Sequence, residues 1–309
     1  VKKAPAKQVR AIRENRVAGA DGVPIWYRAI GDGPAIVCCN GVGVSTIFWR
    51  YIEEYFGATH RVVVWDYRGH GNSGAPPNFD NWTMGINIHD LRAVMDDAEV
   101  DRAVLCGHSM GTQVVLEAWR HFPERIAGLV PILGAAGFPV KTFFDTEYSE
   151  YAYRLAYFFS MNLTGFTNAL THFFARRWFA FPLAKLIVVD PQLTTWQDFK
   201  PYFEHMSKLD VRVFFAMAKA MAEHTAADLL PTITAPTLLV GGDRDIFTPF
   251  HLTEAMHRAI PGSELLHIKN GSHAALIEQP DLINLRLEKF FRERLPEWYE
   301  PLTAKTNRS

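Results

Sequence analysis

The stretch AVLCGHSMGTQVVLEAW, residues 103–119, changes its periodicity in the middle. Up to Cys106 it is a continuous apolar run of strand length, the pattern of a strand covered on both faces. Beyond Ser109 the apolar residues return at helical spacing, so the chain must pass from strand to helix within a few residues. The turn between them is Gly107-His108-Ser109-Met110-Gly111, a G-x-S-x-G match. Chance alone would place such a match somewhere in a chain of this length with odds of roughly one in ten, given ordinary Gly and Ser abundance. The setting gives it weight, because a strand–turn–helix frame makes a tight elbow that exposes the serine hydroxyl. A side chain at either glycine would press on the neighbouring strand or helix. The hydroxyl also stands at a helix N-terminus, where amide dipoles favour developing negative charge. Ser109 is therefore the candidate nucleophile, and the plainer alternative is an N-cap serine.

Working outward, AIVCC (35–39), RVVVWD (61–66), AGLVPIL (127–133), PTLLVG (236–241) and ELLHI (264–268) repeat the buried-strand pattern, with helical patterns between them. This alternation predicts an α/β fold, a mostly parallel central sheet with helices on both faces and right-handed crossovers. RVAGAD (16–21) and VPIWYRAI (23–30), joined at Asp21-Gly22, read as an antiparallel hairpin at one edge. The alternation stops between Phe138 and Leu230, where helical patterns are broken at Gly165, Pro182, Pro191 and Pro201 and LIVV (186–189) is the one strand-like run. The expected organisation is a basic tail over 1–15, a core over 16–137 and 231–300, an inserted helical segment over 138–230 and a C-terminal tail over 301–309.

With 48% hydrophobic and 21% charged residues and a formal net charge of −1, the chain lacks the positive field that holds a phosphate backbone, which argues against nucleic acid as a partner. Cys38, Cys39 and Cys106 lie in buried-strand patterns and read as reduced thiols, consistent with a cytoplasmic location. The basic N-terminal stretch has no apolar core of a signal sequence. Neither a His-Glu-x-x-His nor a Cys-x-x-Cys pattern occurs, so no metal is expected. The glycine-containing loop Asn40-Gly41-Val42-Gly43 carries neither a dinucleotide nor a P-loop fingerprint, so no cofactor is expected.

A bare serine hydroxyl needs an imidazole to take its proton and an acid to orient that imidazole. Of the 12 histidines, His273 lies in a Gly-Ser-His turn just past the last strand pattern, at the carboxyl edge where catalytic groups gather in open α/β sheets. His267 lies inside the strand pattern and reads as a packing residue. Asp243 and Asp245 compete for the acid, with Asp145 as an outside candidate.

Four segments in order resemble the α/β-hydrolase superfamily: the elbow; Asp66-Tyr67-Arg68-Gly69-His70-Gly71-Asn72-Ser73, similar to its D-x-R-G-x-G-x-S turn; GGDRDIFTP (241–249); and NGSHAALIEQP (270–280). The resemblance covers nearly the whole chain outside the insertion. It implies an esterase- or lipase-like serine hydrolase with a helical cap, in which Ser109, Asp245 and His273 form the triad and Asp243 fixes its loop. It implies an oxyanion hole made by the N–H groups of Met110 and Val42, the latter in Asn40-Gly41-Val42-Gly43. Here Asn40 replaces the family's common histidine, and the brace of that loop is not given by the motif. Epoxide hydrolases and haloalkane dehalogenases share the scaffold but need Asp at the nucleophile position. Carbon–carbon bond hydrolases, perhydrolases and acyltransferases share the triad, and an inactive ligand-binding member of the fold is the reading from outside enzymology.

Of the 40 aromatic residues, 21 fall between Phe138 and Leu230. Most are expected to pack the inserted helices onto the core. Others, with Phe143 and Phe144 the candidates, are expected to line the pocket together with Gly41 and His108. Such walls fit a small apolar ester or lipid-like substrate. The charge-free run 155–175 is too polar to span a bilayer. The preferred reading of its surface is a dry interface between cap and core, and the alternative is a weak contact with a membrane surface through Arg154, Arg176, Arg177 and the aromatic run.

Overall fold

The computed structural model describes residues 12–79, 82–138, 148–187 and 189–299. Its sheet contains β1 (Ile12–Ala18), β2 (Pro24–Ile30), β3 (Ala35–Cys39), β4 (Arg61–Trp65), β5 (Ala103–His108), β6 (Ile126–Ile132), β7 (Leu238–Gly242) and β8 (Glu264–Ile268), in the order β1-β2-β4-β3-β5-β6-β7-β8. The first two strands form an antiparallel hairpin, β2 meets β4 antiparallel, and every pairing from β4 to β8 is parallel. β5 lies between β3 and β6, deep in the sheet, so its carboxyl end opens at the centre of one edge.

Alternate side chains of β5 enter opposite layers: Ala103 and Leu105 join one apolar cluster, Val104 and Cys106 the other. One layer is built on α2 (Met84–Asp97) and α3 (Met110–His121), through Leu91, Val94, Met95, Val114 and Val115. The other is built on α1 (Arg50–Phe56) and α11 (Pro280–Arg294), through Ile52, Phe56, Leu287, Phe290 and Phe291. At roughly 1.5–3 kcal/mol for each fully buried aliphatic or aromatic side chain, these two layers hold the strand ends in place. The three cysteines are free and buried. Burial pushes the Cys39 thiol up to about 12, so it stays protonated.

Between β6 and β7 the described residues include the helices α4 (Tyr148–Asn162), α5 (Thr164–Ala175), α6 (Ala180–Ile187), α7 (Trp196–Met206) and α8 (Val211–Glu223). α4 and α5 pack on α8, and α5 also packs on α7. After β7 come α9 (Phe250–Ala259) and α10 (Ala275–Glu278).

Two boundaries differ from the sequence reading. β1 starts at Ile12, inside the stretch expected as a tail, because its residues pair with β2 from Ile12 opposite Ile30 onward. The strand-like run LIVV opens as the end of α6. A larger difference concerns the aromatic run. Phe158, Phe159, Phe166, Phe173, Phe174 and Trp178 are exposed, so this surface is not the dry interface with the core that was preferred.

Candidate active site

The elbow is a steric device. A Cβ on Gly107 would fall 2.2 Å from the carbonyl oxygen of Gly111, and one on Gly111 would fall 2.1 Å from that of Cys39. Only bare glycines let β5, β3 and the start of α3 approach this closely. Ser109 itself takes φ 56° and ψ −119°, a conformation that costs a residue with a side chain about 1–3 kcal/mol. Its N–H donates to the Ile132 carbonyl at 3.0 Å, which ties the strained residue to β6.

His273 and Asp245 reach this serine from the loops after β8 and β7. Nε2 of His273 lies 3.0 Å from the Ser109 hydroxyl, and Nδ1 lies 2.8 Å from Oδ2 of Asp245. Asp245 is buried, and four donors converge on it. The N–H groups of Phe247 and Thr248 donate to Oδ1, each at 2.9 Å, while the Thr248 hydroxyl (2.8 Å) and His273 share Oδ2. Burial by itself would raise the carboxyl's pKa. The facing imidazole, its hydrogen bond and the Thr248 donors outweigh it and hold Asp245 below the usual carboxylate range. Phe247 sets its ring edge-on to His273, with centroids 5.0 Å apart.

The rival acid, Asp243, stands apart at the surface, 3.7 Å from His267, with no place in this line. His267 stacks on Phe250. Asp145, Phe143 and Phe144 lie outside the described residues. His108 is buried, and its Nε2 donates to the main-chain carbonyl of His273 at 2.9 Å, so it supports the histidine's backbone instead of facing the serine hydroxyl. Its ring tilts against Phe48.

Gly41 brings the loop after β3 against the serine, since a Cβ there would lie 2.9 Å from Cβ of Ser109. Val42 follows in that loop. Met110 opens α3, so its N–H has no carbonyl one turn back. The brace that the motif left open is Asn40, whose carboxamide donates to the Trp65 carbonyl and accepts from the Trp49 indole N–H, both at 2.7 Å. A second brace was not foreseen: the N–H of Gly43 donates to Nε2 of His70 at 3.2 Å. Phe214 and Met206, from α8 and α7, stand over Gly43, where a Cβ would meet the Phe214 ring at 2.7 Å. Phe214 is one of the 21 aromatics of the insertion, but nothing in the pattern places it or Met206 against this loop, because the contact is purely tertiary. Among the described residues no group of three His, Cys, Asp or Glu side chains could hold a metal ion.

A nucleophile elbow, a Ser–His–Asp line and a glycine loop at the carboxyl edge of a mostly parallel sheet define an α/β-hydrolase. The chain belongs to that family: the family model for the alpha/beta hydrolase fold matches residues 34–280. It is similar to 3-oxoadipate enol-lactonase 2 of Acinetobacter baylyi, with 25% identity over 87% of this chain and 93% of the relative. Mouse epoxide hydrolase 4 is also 25% identical, over 88% of this chain and 77% of the relative. An esterase structure from Thermogutta terrifontis superposes with TM-score 0.72 at 23% identity, covering 91% of this chain and 98% of the other, which speaks for the fold. The protein is a hydrolase of this family.

Proposed function

We propose that the protein is a serine hydrolase that cleaves carboxylic esters bearing an apolar acyl or aromatic group. The observation that carries this reading is the unbroken hydrogen-bonded line from Asp245 through His273 to the strained Ser109. Nε2 of His273 takes the hydroxyl proton as Oγ of Ser109 bonds to the ester carbonyl carbon, and the carbonyl π pair moves onto oxygen. The N–H groups of Val42 and Met110 hold that oxyanion. Its collapse expels the alkoxide, which takes the proton from Nε2 and leaves the acyl group on Ser109. Water then attacks, gives its proton to His273, and the second collapse returns the proton to Oγ and frees the acid. Asp245 keeps the proton of the resting imidazole on Nδ1 and offsets the positive charge that forms.

The likeness to an enol-lactonase supports this bond type, since a lactone is an internal ester. Epoxide hydrolysis is disfavoured by the nucleophile. Serine attack on an epoxide would leave an ether with no carbonyl for water to resolve, whereas a carboxylate nucleophile leaves an ester. The inserted helices act as a cap over the glycine loop, where Phe214 and Met206 meet Gly43 and Tyr202 meets Phe48. Phe48, Phe214 and Phe247 around the line give the apolar wall that suits a neutral acyl chain or ring.

The test is labelling by a fluorophosphonate together with turnover of p-nitrophenyl esters of graded acyl length, with Ser109→Ala as control. Stoichiometric label on Ser109 and faster turnover of medium than of acetyl esters are expected. Folded protein that takes no label at Ser109 would sink the reading.

A further inference from the structure

α5 is an amphipathic helix turned inside out. Its half-buried side carries Thr164, Thr167, Asn168, Thr171 and His172, while Phe166, Leu170, Phe173 and Phe174 face solvent. The polar side is bonded to the rest of the fold: Oδ1 of Asn168 accepts from the Val211 N–H at 2.8 Å, and Nε2 of His172 donates to the Leu209 carbonyl at 2.9 Å. No residue of α5 is buried. A surface helix in water ordinarily turns its apolar stripe to the core; α5 does the reverse.

The neighbouring elements extend the stripe. Leu155 and Phe158 of α4 are 59% and 56% exposed, Phe166 is 66% exposed, and Trp178, just after α5, is 84% exposed. With aromatic side chains of roughly 200 Å² each, the patch is on the order of 1,000 Å², beyond the few hundred that monomer surfaces ordinarily show. The stretch of chain that forms it carries charge of one sign. From Tyr151 to Val189 the chain has no Asp or Glu but carries Arg154, Arg176, Arg177 and Lys185, in a protein whose formal net charge is −1. The guanidinium of Arg177 lies 3.9 Å from the centre of the Phe173 ring, so cation and apolar surface sit side by side. Among the described residues no helix is long and apolar enough to cross a membrane.

We propose that the outer face of α4–α6 docks on the surface of an anionic lipid bilayer, with Phe158, Phe166, Phe173 and Trp178 entering the headgroup–acyl boundary and Arg176, Arg177 and Lys185 meeting lipid phosphates. Apolar stripe, exposed Trp and basic residues on a stretch without Asp or Glu together match an interfacial surface. A second copy of this chain would bring like charges together across the same face, which is why lipid is the chosen occupant. The docking does not depend on the ester reading, but with it the protein would take its substrate from the bilayer.

Flotation of the full chain with vesicles of phosphatidylcholine alone and of phosphatidylcholine with phosphatidylglycerol tests this. The protein is expected to float with the anionic vesicles, less so at high salt. Phe166→Glu combined with Trp178→Glu is expected to cut the floating fraction at least tenfold, with the unfolding midpoint and turnover of a water-soluble ester unchanged. The proposal is overturned by wild type staying in the lipid-free fraction, by equal recovery on both vesicle types, or by a variant that floats like wild type. Sedimentation showing a dimer that the double variant dissociates would also overturn it, in favour of a second copy. Because flotation is read without turnover, a chain that floats but takes no fluorophosphonate would sink the serine-ester reading alone.

Discussion

The N–H of Gly43 donates to Nε2 of His70, and this bond fixes the state of a buried imidazole. With Nε2 accepting, the ring proton is on Nδ1, which donates to the Arg68 carbonyl at 3.1 Å. Burial, the facing His205 and loss of the acceptor all oppose a charge on the ring, and its pKa is lowered to about 3. Burial does the same to His108, also lowered to about 3. An unfolded histidine titrates near ~6.5, so below that pH the unfolded chain binds protons that the folded one refuses, and stability falls as pH falls toward 3. Asp66, Asp90 and Glu278, whose carboxyls burial pushes up, act in the opposite sense. His70→Asn isolates one histidine. At pH 7 it should be about 1–3 kcal/mol less stable, for the orphaned Gly43 donor. Below pH 6.5 the gap to wild type should narrow by up to about 1.4 kcal/mol per pH unit. Urea unfolding of both proteins from pH 7 to 4.5 measures it, and a gap that stays constant would exclude a neutral buried His70.

His108 holds the main chain of His273, not its ring. His108→Ala should leave the His273 carbonyl unpaired and free the loop to shift. A misplacement of about 1 Å at reacting groups costs on the order of 100-fold in rate. The expected result is a kcat lower by about 10- to 100-fold with KM nearly unchanged, and partial rescue in His108→Gln, whose amide can still donate. Equal kcat in wild type and alanine variant would contradict the support role.

Asp245→Asn tests the acid. The Phe247 and Thr248 N–H groups can still donate to the side-chain oxygen, so the loop should keep its shape. An amide N–H facing Nδ1 would move the imidazole proton to Nε2, where it can no longer accept from Ser109. The expected loss in kcat is about 10⁴-fold, against a shift of only a few degrees in the unfolding midpoint. Asp243→Asn, at the surface beside His267, should retain near wild-type kcat. The reverse pattern between the two variants would reassign the acid.

The legible parts of this chain are those whose physics is local. Covered parallel strands such as Val62–Val64 and Val104–Cys106 are apolar on both faces and read as continuous runs. The elbow glycines follow from contacts that any side chain would break. The Ile12–Asn15 part of β1 escaped because it lies at the sheet edge, exposed, with no alternation to see, and its order comes from pairing with β2. LIVV misled because a short apolar run fits a helix end as well as a strand. The orientation of α5 was illegible for a further reason. Its stripe is plain in the sequence, but periodicity shows which residues share a face and never which face meets the core.

Asn40 shows how a departure from a family pattern can be compensated. Its carboxamide takes the Trp49 indole N–H and gives a proton to the Trp65 carbonyl, so one side chain ties the start of the glycine loop to two neighbouring elements. Both partners are buried, and Asn40→Ala would leave them without that bond. At about 1–3 kcal/mol for each of the two orphaned polar groups, the variant should lose roughly 2–6 kcal/mol of stability. The catalytic effect should be separable. A slack loop moves the Val42 N–H, which matters only once the oxyanion forms, so kcat should fall while KM for a short ester changes little. Loss of a single oxyanion donor costs about 10²- to 10³-fold, which bounds the expected drop. Asn40→Asp keeps the acceptor for Trp49 but sets a buried carboxylate oxygen against the Trp65 carbonyl, and at neutral pH should be less stable than alanine. Steady-state kinetics and urea unfolding on the three proteins measure both quantities. An alanine variant that loses stability but keeps its kcat would show that Asn40 braces the fold without positioning the loop.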